Sequence, residues 1–334
     1  MPSKRRDDEI IAKVLTVQNL LNINGAAFMN GAPLSGTPGN TFWLDPTHGD
    51  DDYDGKTPAT AKATLPAVED LTVDGHNDVV KYIAGTSWLD LAAAFEWDKS
   101  YTHFVGVCSP TKVAQRARIE QLSTLTAASP LFKVSGTGCV FKDLYFFQGV
   151  NDNTSLIDVQ VTGRCNVFEN VHFAGGGHAA QAIDGGASLH IFGGEENLFH
   201  NCVIGVDTIP AATGMAGLVY AATGGAPRNR FIDCDFTMYA GDVAAIFVEL
   251  LGNSGIDRYQ IFEDCWFINL GPSTMTQVFA IAAGFDPSNK RFLLKNCRYI
   301  GAGKWDDADR GAVYGDMNAV TGADASGKLV QMIT

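Results

Sequence analysis

The chain has 334 residues, 46% of them hydrophobic, enough for one large domain or two ordinary ones with real cores, which excludes a disordered chain. A net charge of −13 without a basic stripe disfavours nucleic-acid partners, and no apolar run approaches the roughly 20 residues that span a bilayer. The 36 glycines and 20 phenylalanines suit a β-rich chain with many turns and an aromatic interior, and the seven cysteines, lacking C-x-x-C or zinc spacing, read as reduced buried thiols.

The first predicted element is an amphipathic helix over 7–22, "DDEIIAKVLTVQNLLN", with Ile10, Val14, Val17 and Leu21 spaced 4, 3 and 4 apart and Asp7, Asp8 and Glu9 at its favourable end. At about two heptads it is too short for a stable coiled coil alone. It can cap a fold, or it can serve as a trimerisation or docking helix. Residues 30–40, "NGAPLSGTPGN", read as a loop or linker. No signal-peptide core follows the basic first residues, so synthesis in the cytoplasm is expected.

The segment 42–71, "FWLDPTHGDDDYDGKTPATAKATLPAVEDL", combines an extended piece, an acidic G-D-D-x-x-D-G turn and a T-P-x-T-A-x-x-T-L stretch. Asp50, Asp51, Asp54, Gly55, Thr57, Pro58, Thr60, Ala61, Thr64 and Leu65 carry this pattern, and 76–86, "HNDVVKYIAGT", reads as a strand closed by glycine. Together these residues resemble the cap of pectin-lyase-like β-helix proteins, especially phage tailspikes and related virion proteins. The resemblance implies a short helix covering the first turn of a solenoid. It says little about activity, because the same cap occurs in lyases, hydrolases and inert spikes. Asp50, Asp52 and Asp54 also open like a calcium loop, but its twelfth position is Ala61 where a bidentate Glu is needed. An acidic capping turn is the expectation, and a weak cation site the alternative.

From 141 onward one motif recurs: Phe141 to Phe146, Phe168 to Phe173, Phe199 to Ile204, Phe231 to Phe236, Phe262 to Phe267 and Leu294 to Tyr299. Its Asp or Asn falls at 143, 170, 201, 233, 264 and 296, at intervals of 27, 31, 32, 31 and 32 residues. Two short extended pieces meeting at a bend would bury the first, fourth and sixth residues of each copy, and Asp or Asn suits the bend. Stacking predicts a ladder of Phe141, Phe168, Phe199, Phe231 and Phe262, and a thiol ladder of Cys202, Cys234, Cys265 and Cys297 continued by Leu144 and Val171. Asp143, Asn170, Asn201, Asp233, Asp264 and Asn296 are expected to hydrogen-bond along the stack. A further strand precedes each copy, at 131–136, 156–163, 189–194, 217–225, 244–255 and 278–285, while 174–188 and 205–216 are expected to protrude as variable loops.

This pattern predicts an all-β, right-handed parallel β-helix of eight or nine turns. The expected organisation is 1–41 helix and linker, 42–78 cap, and 79–334 β-helix with a C-terminal loop. Catalytic candidates are weak. Asp233 and Asp235 alternate along one strand, but Asp233 belongs to the ladder and Asp235 is replaced in other copies. The acidic run 304–316, with Asp306, Asp307, Asp309 and Arg310, reads as a solvated loop or a sugar-binding patch. Glu195 and Glu196 read as solvated, and His178, His190 and His200 lack metal-ligand spacing. No cofactor is expected.

The functional expectation is a non-enzymatic structural protein of a phage virion: a capsid decoration, a head fibre or a short spike. By resemblance it is a homotrimer that contacts other virion proteins through its N-terminal segment. The alternatives are a tailspike-type polysaccharide depolymerase, lyase or hydrolase, and an adhesin that binds a host surface glycan.

Overall fold

The computed structural model describes residues 20–23, 26–29, 32–33, 39–306, 312–315 and 330–331. Ile10, Val14 and Val17 lie outside them. The end of the predicted helix is corrected: Leu20–Ile23, which contains Leu21, is a strand paired antiparallel with Ala26–Met29, which also pairs with Ala32–Pro33. The intervening Asn24-Gly25 is the strongest short hairpin signal a sequence carries, and here it outweighs the helical period.

Thr41–Leu44 opens the solenoid and pairs in parallel with Val79–Ile83. Between them the acidic turn serves the backbone. Asp51 Oδ1 accepts the Ala63 and Thr64 N–H groups at 2.9 Å, and Asp54 Oδ1 accepts from Lys56 N at 3.1 Å and Thr60 Oγ1 at 2.7 Å. Thr64 caps the helix Leu65–Glu69, whose Leu65 and Val68 are buried in the core beside Leu44 and Val80. Each such side chain contributes about 1.5–3 kcal/mol by leaving water, which closes the open end of the stack.

Three parallel sheets follow. The first holds the strands that begin the repeat, such as Arg230–Ile232; the second those that end it, such as Asp235–Ala240; the third those that precede the next copy, such as Ile246–Leu250. Seven turns carry a strand in all three sheets, fewer than the eight or nine expected, because after Arg298–Ile300 the described chain meets the third sheet only through an isolated parallel bridge, Asp306 to Phe279, before its last strands in the first. The register is like over like: Phe104, Phe141, Phe168, Phe199, Phe231, Phe262 and Leu294 are successive partners. Their rings stack inside, with Phe168 and Phe199 centroids 4.7 Å apart and Phe199 and Phe231 4.5 Å apart. Such pairs add about 0.5–1.5 kcal/mol beyond burial.

The bend has one geometry throughout. Asp143, Asn170, Asn201, Asp233, Asp264 and Asn296 all have φ between 51° and 55°, the left-handed region that Asp and Asn tolerate. Beside them each thiol donates to a phenylalanine carbonyl one turn earlier: Cys202 to Phe168, Cys234 to Phe199, Cys265 to Phe231 and Cys297 to Phe262, at 3.3–3.4 Å. Burial pushes the Cys234 and Cys265 thiols well above their usual range, so they stay protonated. The Asx column is less continuous than expected. Asn170 donates to Asp143 at 2.6 Å, Asn201 to Asn170 at 3.3 Å, and Asn296 to Asp264. It breaks at Asp233, which stacks under another carboxylate, Asp264, and instead approaches His200 Nε2 at 3.6 Å.

At the corner before the first sheet runs a second, fully buried ladder. Asn166 Oδ1 accepts from Cys139 N at 2.8 Å, Asn197 Oδ1 from Asn166 N at 2.9 Å, and Asn229 Oδ1 from Asn197 N at 2.9 Å. The loops 174–188 and 205–216 do not simply protrude. Gln181 and Ala182 are buried, and Ala212 N donates to Ala182 O at 2.8 Å, so the loops stack on one another.

Candidate functional site

On the outer face of the second sheet a long loop meets side chains that break the repeat. One outward column runs Arg118, Tyr145, His172, Val203, Asp235, Trp266, Arg298 in register, and a neighbouring column begins Asp90, Glu120, Phe147, Ala174. Outward positions on a strand are normally solvated, yet Val203 and His172 are buried. The cause is residues 108–117, a strap laid across the column. Ala114 N donates to His172 Nδ1 at 3.3 Å, Gln115 Nε2 to Asn170 O at 3.3 Å, and Lys112 Nζ to Asp233 O at 2.9 Å, with Lys112 also 2.8 Å from Asp235 Oδ2.

His172 is the pin. Its Nε2–H donates to Gly205 O at 2.9 Å, which leaves Nδ1 as the acceptor for the strap, and the ring stacks on Tyr145 at 4.8 Å. Burial pulls its pKa down to about 4, so the ring is neutral at pH 7.

Beyond the strap lies an open groove of about 480 Å³, lined by Lys112, Glu169, His200, Asn201, Asp233, Asp235, Asp264 and Trp266. Glu169 is paired with Lys142 at 2.7 Å and Asp235 with Lys112, so Asp233 and Asp264 are what make the groove acidic. Trp266 is 44% exposed, and the Arg298 guanidinium lies 5.2 Å from its ring centroid. The groove can therefore offer hydroxyl acceptors beside an aromatic platform.

Asp233 and Asp235 thus reach the same groove but are not a free pair: Asp235 is tied to Lys112, and Asp233 holds the bend. Phe231, Cys234 and Phe236 point into the core. Among the described residues no group of three or more His, Cys, Asp or Glu is placed to hold a metal ion, and Asp50 and Asp54 bind backbone N–H groups of their own turn. Glu195 and Glu196 are not simply solvated, since Arg228 bridges both at 2.5 Å. In the 304–316 run, residues 307–311 and Asp316 lie outside the described residues, but Trp305 packs on Tyr299 and Asp306 is buried, so this part is core edge and not a solvated loop.

Sequence reasoning missed Lys112, Arg118, Glu120, Asp90 and Trp266 as a shared surface. One signal was available. The register partners Phe104 and Phe141 stand 37 residues apart, longer than any later interval, and the excess is the strap.

No protein-family model matches the chain, and no curated protein matches it by sequence. Among solved structures it is similar to a rhamnogalacturonan lyase, with a TM-score of 0.55 and 18% identity over 78% of this chain and 68% of that one. It is also similar to a pectate lyase, with a TM-score of 0.51 and 14% identity over 78% of this chain and 64% of that one. The shared feature is the right-handed parallel β-helix. At these identities the likeness is one of fold alone. The chain spans about two thirds of the length of either enzyme. A protein titled Geobacillus virus E2 ORF18 matches with a TM-score of 0.40 and 12% identity over 82% of this chain and 60% of that one.

Proposed function

We propose that the protein is a glycan-binding β-helix whose groove beside the strap holds a neutral polysaccharide. The observation that carries this reading is the half-exposed Trp266 set among Asp233, Asp235, Asp264 and Glu169. A sugar ring stacks its C–H face on an indole, and carboxylates accept its hydroxyls. The carboxylates of Asp233 and Asp264 repel a polyuronate, and Lys112, paired with Asp235, is not a free base for uronate elimination. Substrates of the pectate-lyase type are therefore disfavoured despite the shared fold. The test is affinity measured by calorimetry with purified O-antigen polysaccharide, dextran and polygalacturonate. Binding of a neutral glycan, weakened at least about tenfold by Trp266→Ala, is expected. Preference for polygalacturonate, or unchanged affinity in the variant, would refute it.

A second reading, a structural virion subunit assembled as a homotrimer, is favoured by the cap at 42–71, where Asp51, Asp54 and Thr64 carry the pattern of spike proteins. The two are compatible if the glycan is a host receptor. Copy number in a purified particle separates decoration, at hundreds of copies, from a fibre or spike, at tens or fewer.

A further inference from the structure

Past Trp266, toward the C-terminal end of the stack, the outer face of the second sheet turns from polar to apolar. Residues two apart on a strand share a face, so Trp266, Ile268 and Leu270 all point outward while Phe267 and Asn269 are buried. Ile268 stands in register between Thr237 and Ile300, and Leu270 N donates to Met238 O, which places Leu270 beside Tyr239. Leu270 is 61% exposed and Ile300 57%, and none of the five outward residues beyond Trp266 carries a charge. Apolar side chains grouped in this way on a wet surface mark a binding site. The strip is continuous with the groove, because Trp266 belongs to both. Its three most exposed side chains, Trp266, Leu270 and Ile300, are each only about half exposed. That falls well short of the roughly 800 Å² per partner that a stable protein–protein interface buries, so the strip suits a ligand better than a second copy of the chain.

We propose that this strip is a subsite for the C5 methyl group of a 6-deoxy sugar, so that the polysaccharide held in the groove is one that carries 6-deoxyhexose residues. The proposal rests on the glycan reading and narrows its substrate class. A sugar ring stacked on Trp266 presents hydroxyls on one flank to Asp233 and Asp264, the carboxylates that make the groove acidic. Its other flank lies over the strip, where Ile268, Leu270 and Ile300 can neither donate nor accept a hydrogen bond. The hydroxyls of Thr237 and Tyr239 belong to the preceding turn. A hydroxymethyl group on that flank would leave water without a partner, which is unfavourable. A methyl group in its place gains by leaving water. A 6-deoxyhexose meets both conditions at once, since it keeps its ring hydroxyls and is apolar at C6.

The test uses the full chain and calorimetry with rhamnan, whose residues carry a methyl group on C5, and mannan, whose residues carry a hydroxymethyl there. Rhamnan is expected to bind at least about tenfold more tightly. That preference should disappear in the double variant Leu270→Ser/Ile300→Ser, which alters two exposed side chains and should unfold thermally near wild type, while Trp266→Ala weakens binding of both glycans. Ile300→Ser alone, on the edge strand of the sheet, should lower the preference in the same direction. Equal affinity for the two polysaccharides, a preference for mannan, or a preference that survives in the variants would overturn the subsite and leave the binding reading standing. A wild-type chain that sediments as an oligomer beside a double variant that sediments as a monomer would also overturn it, since a second copy would then cover the strip. Binding of neither rhamnan nor mannan would overturn the subsite, and if dextran and O-antigen polysaccharide also fail to bind, the glycan reading falls with it.

Discussion

Acidification should loosen the strap through His172. Nδ1 of the ring accepts the Ala114 N–H and Nε2–H donates to Gly205 O, so a second proton would set donor against donor at Ala114. The nearby Asp207 charge favours the proton but is outweighed by burial, and the ring titrates at about 4 against 6.5 for an unperturbed histidine. Because the folded value is depressed, the unfolded chain binds this proton first. The contribution is intact above pH 6.5, falls as pH drops through the window to 4, and is spent below it. At about 1.36 kcal/mol per pH unit, that window is worth about 3 kcal/mol. The measurement is denaturant unfolding of wild type and His172→Phe between pH 7.5 and 4, with amide exchange followed in 108–117. The variant keeps the stacking on Tyr145 but cannot titrate. It should be less stable at pH 7.5, with the gap to wild type closing as pH falls and strap exchange already fast at neutral pH. Parallel pH slopes for the two proteins would refute the reasoning.

Asn197→Ala leaves the Asn166 N–H and the Gly163 carbonyl without partners inside the fold, and should cost about 2–5 kcal/mol in denaturant unfolding. Asp158 is fully buried with no side-chain partner among the described residues, and burial holds its carboxyl well above the usual range, so ionisation of the unfolded chain draws stability down as pH rises above 3.8. Asp158→Asn should therefore be more stable than wild type at pH 7 by at least about 1 kcal/mol, with the difference shrinking toward pH 3.8; a constant difference across that range would contradict the assignment.

The solenoid was legible because its signal is additive. Each turn is a local unit of strand, bend and strand, so Phe231, Asp233 and Cys234 carry the same instructions as their counterparts 31 or 32 residues away, and repetition reveals them. The buried ladder of Asn166, Asn197 and Asn229 was equally periodic but less visible, since asparagine outside an apolar motif reads as a turn residue. At the N-terminus Leu21 was misread because hydrophobic spacing over about two heptads is weaker information than the Asn24-Gly25 turn signal in the sequence that follows.

The candidate site was not legible, for a reason that follows from the geometry of stacking. Lys112 meets Asp235, and Arg118 meets Tyr145, only because parallel turns lie about 4.8 Å apart and carry residues distant in sequence onto one face. The sequence by itself determined the repeat, the inward columns and the bends, since these depend on residues within a single turn. Only the tertiary structure decided which outward side chains meet, where the extra residues before Phe141 lie, and that they bury His172, because no local preference links a loop to a strand several turns away.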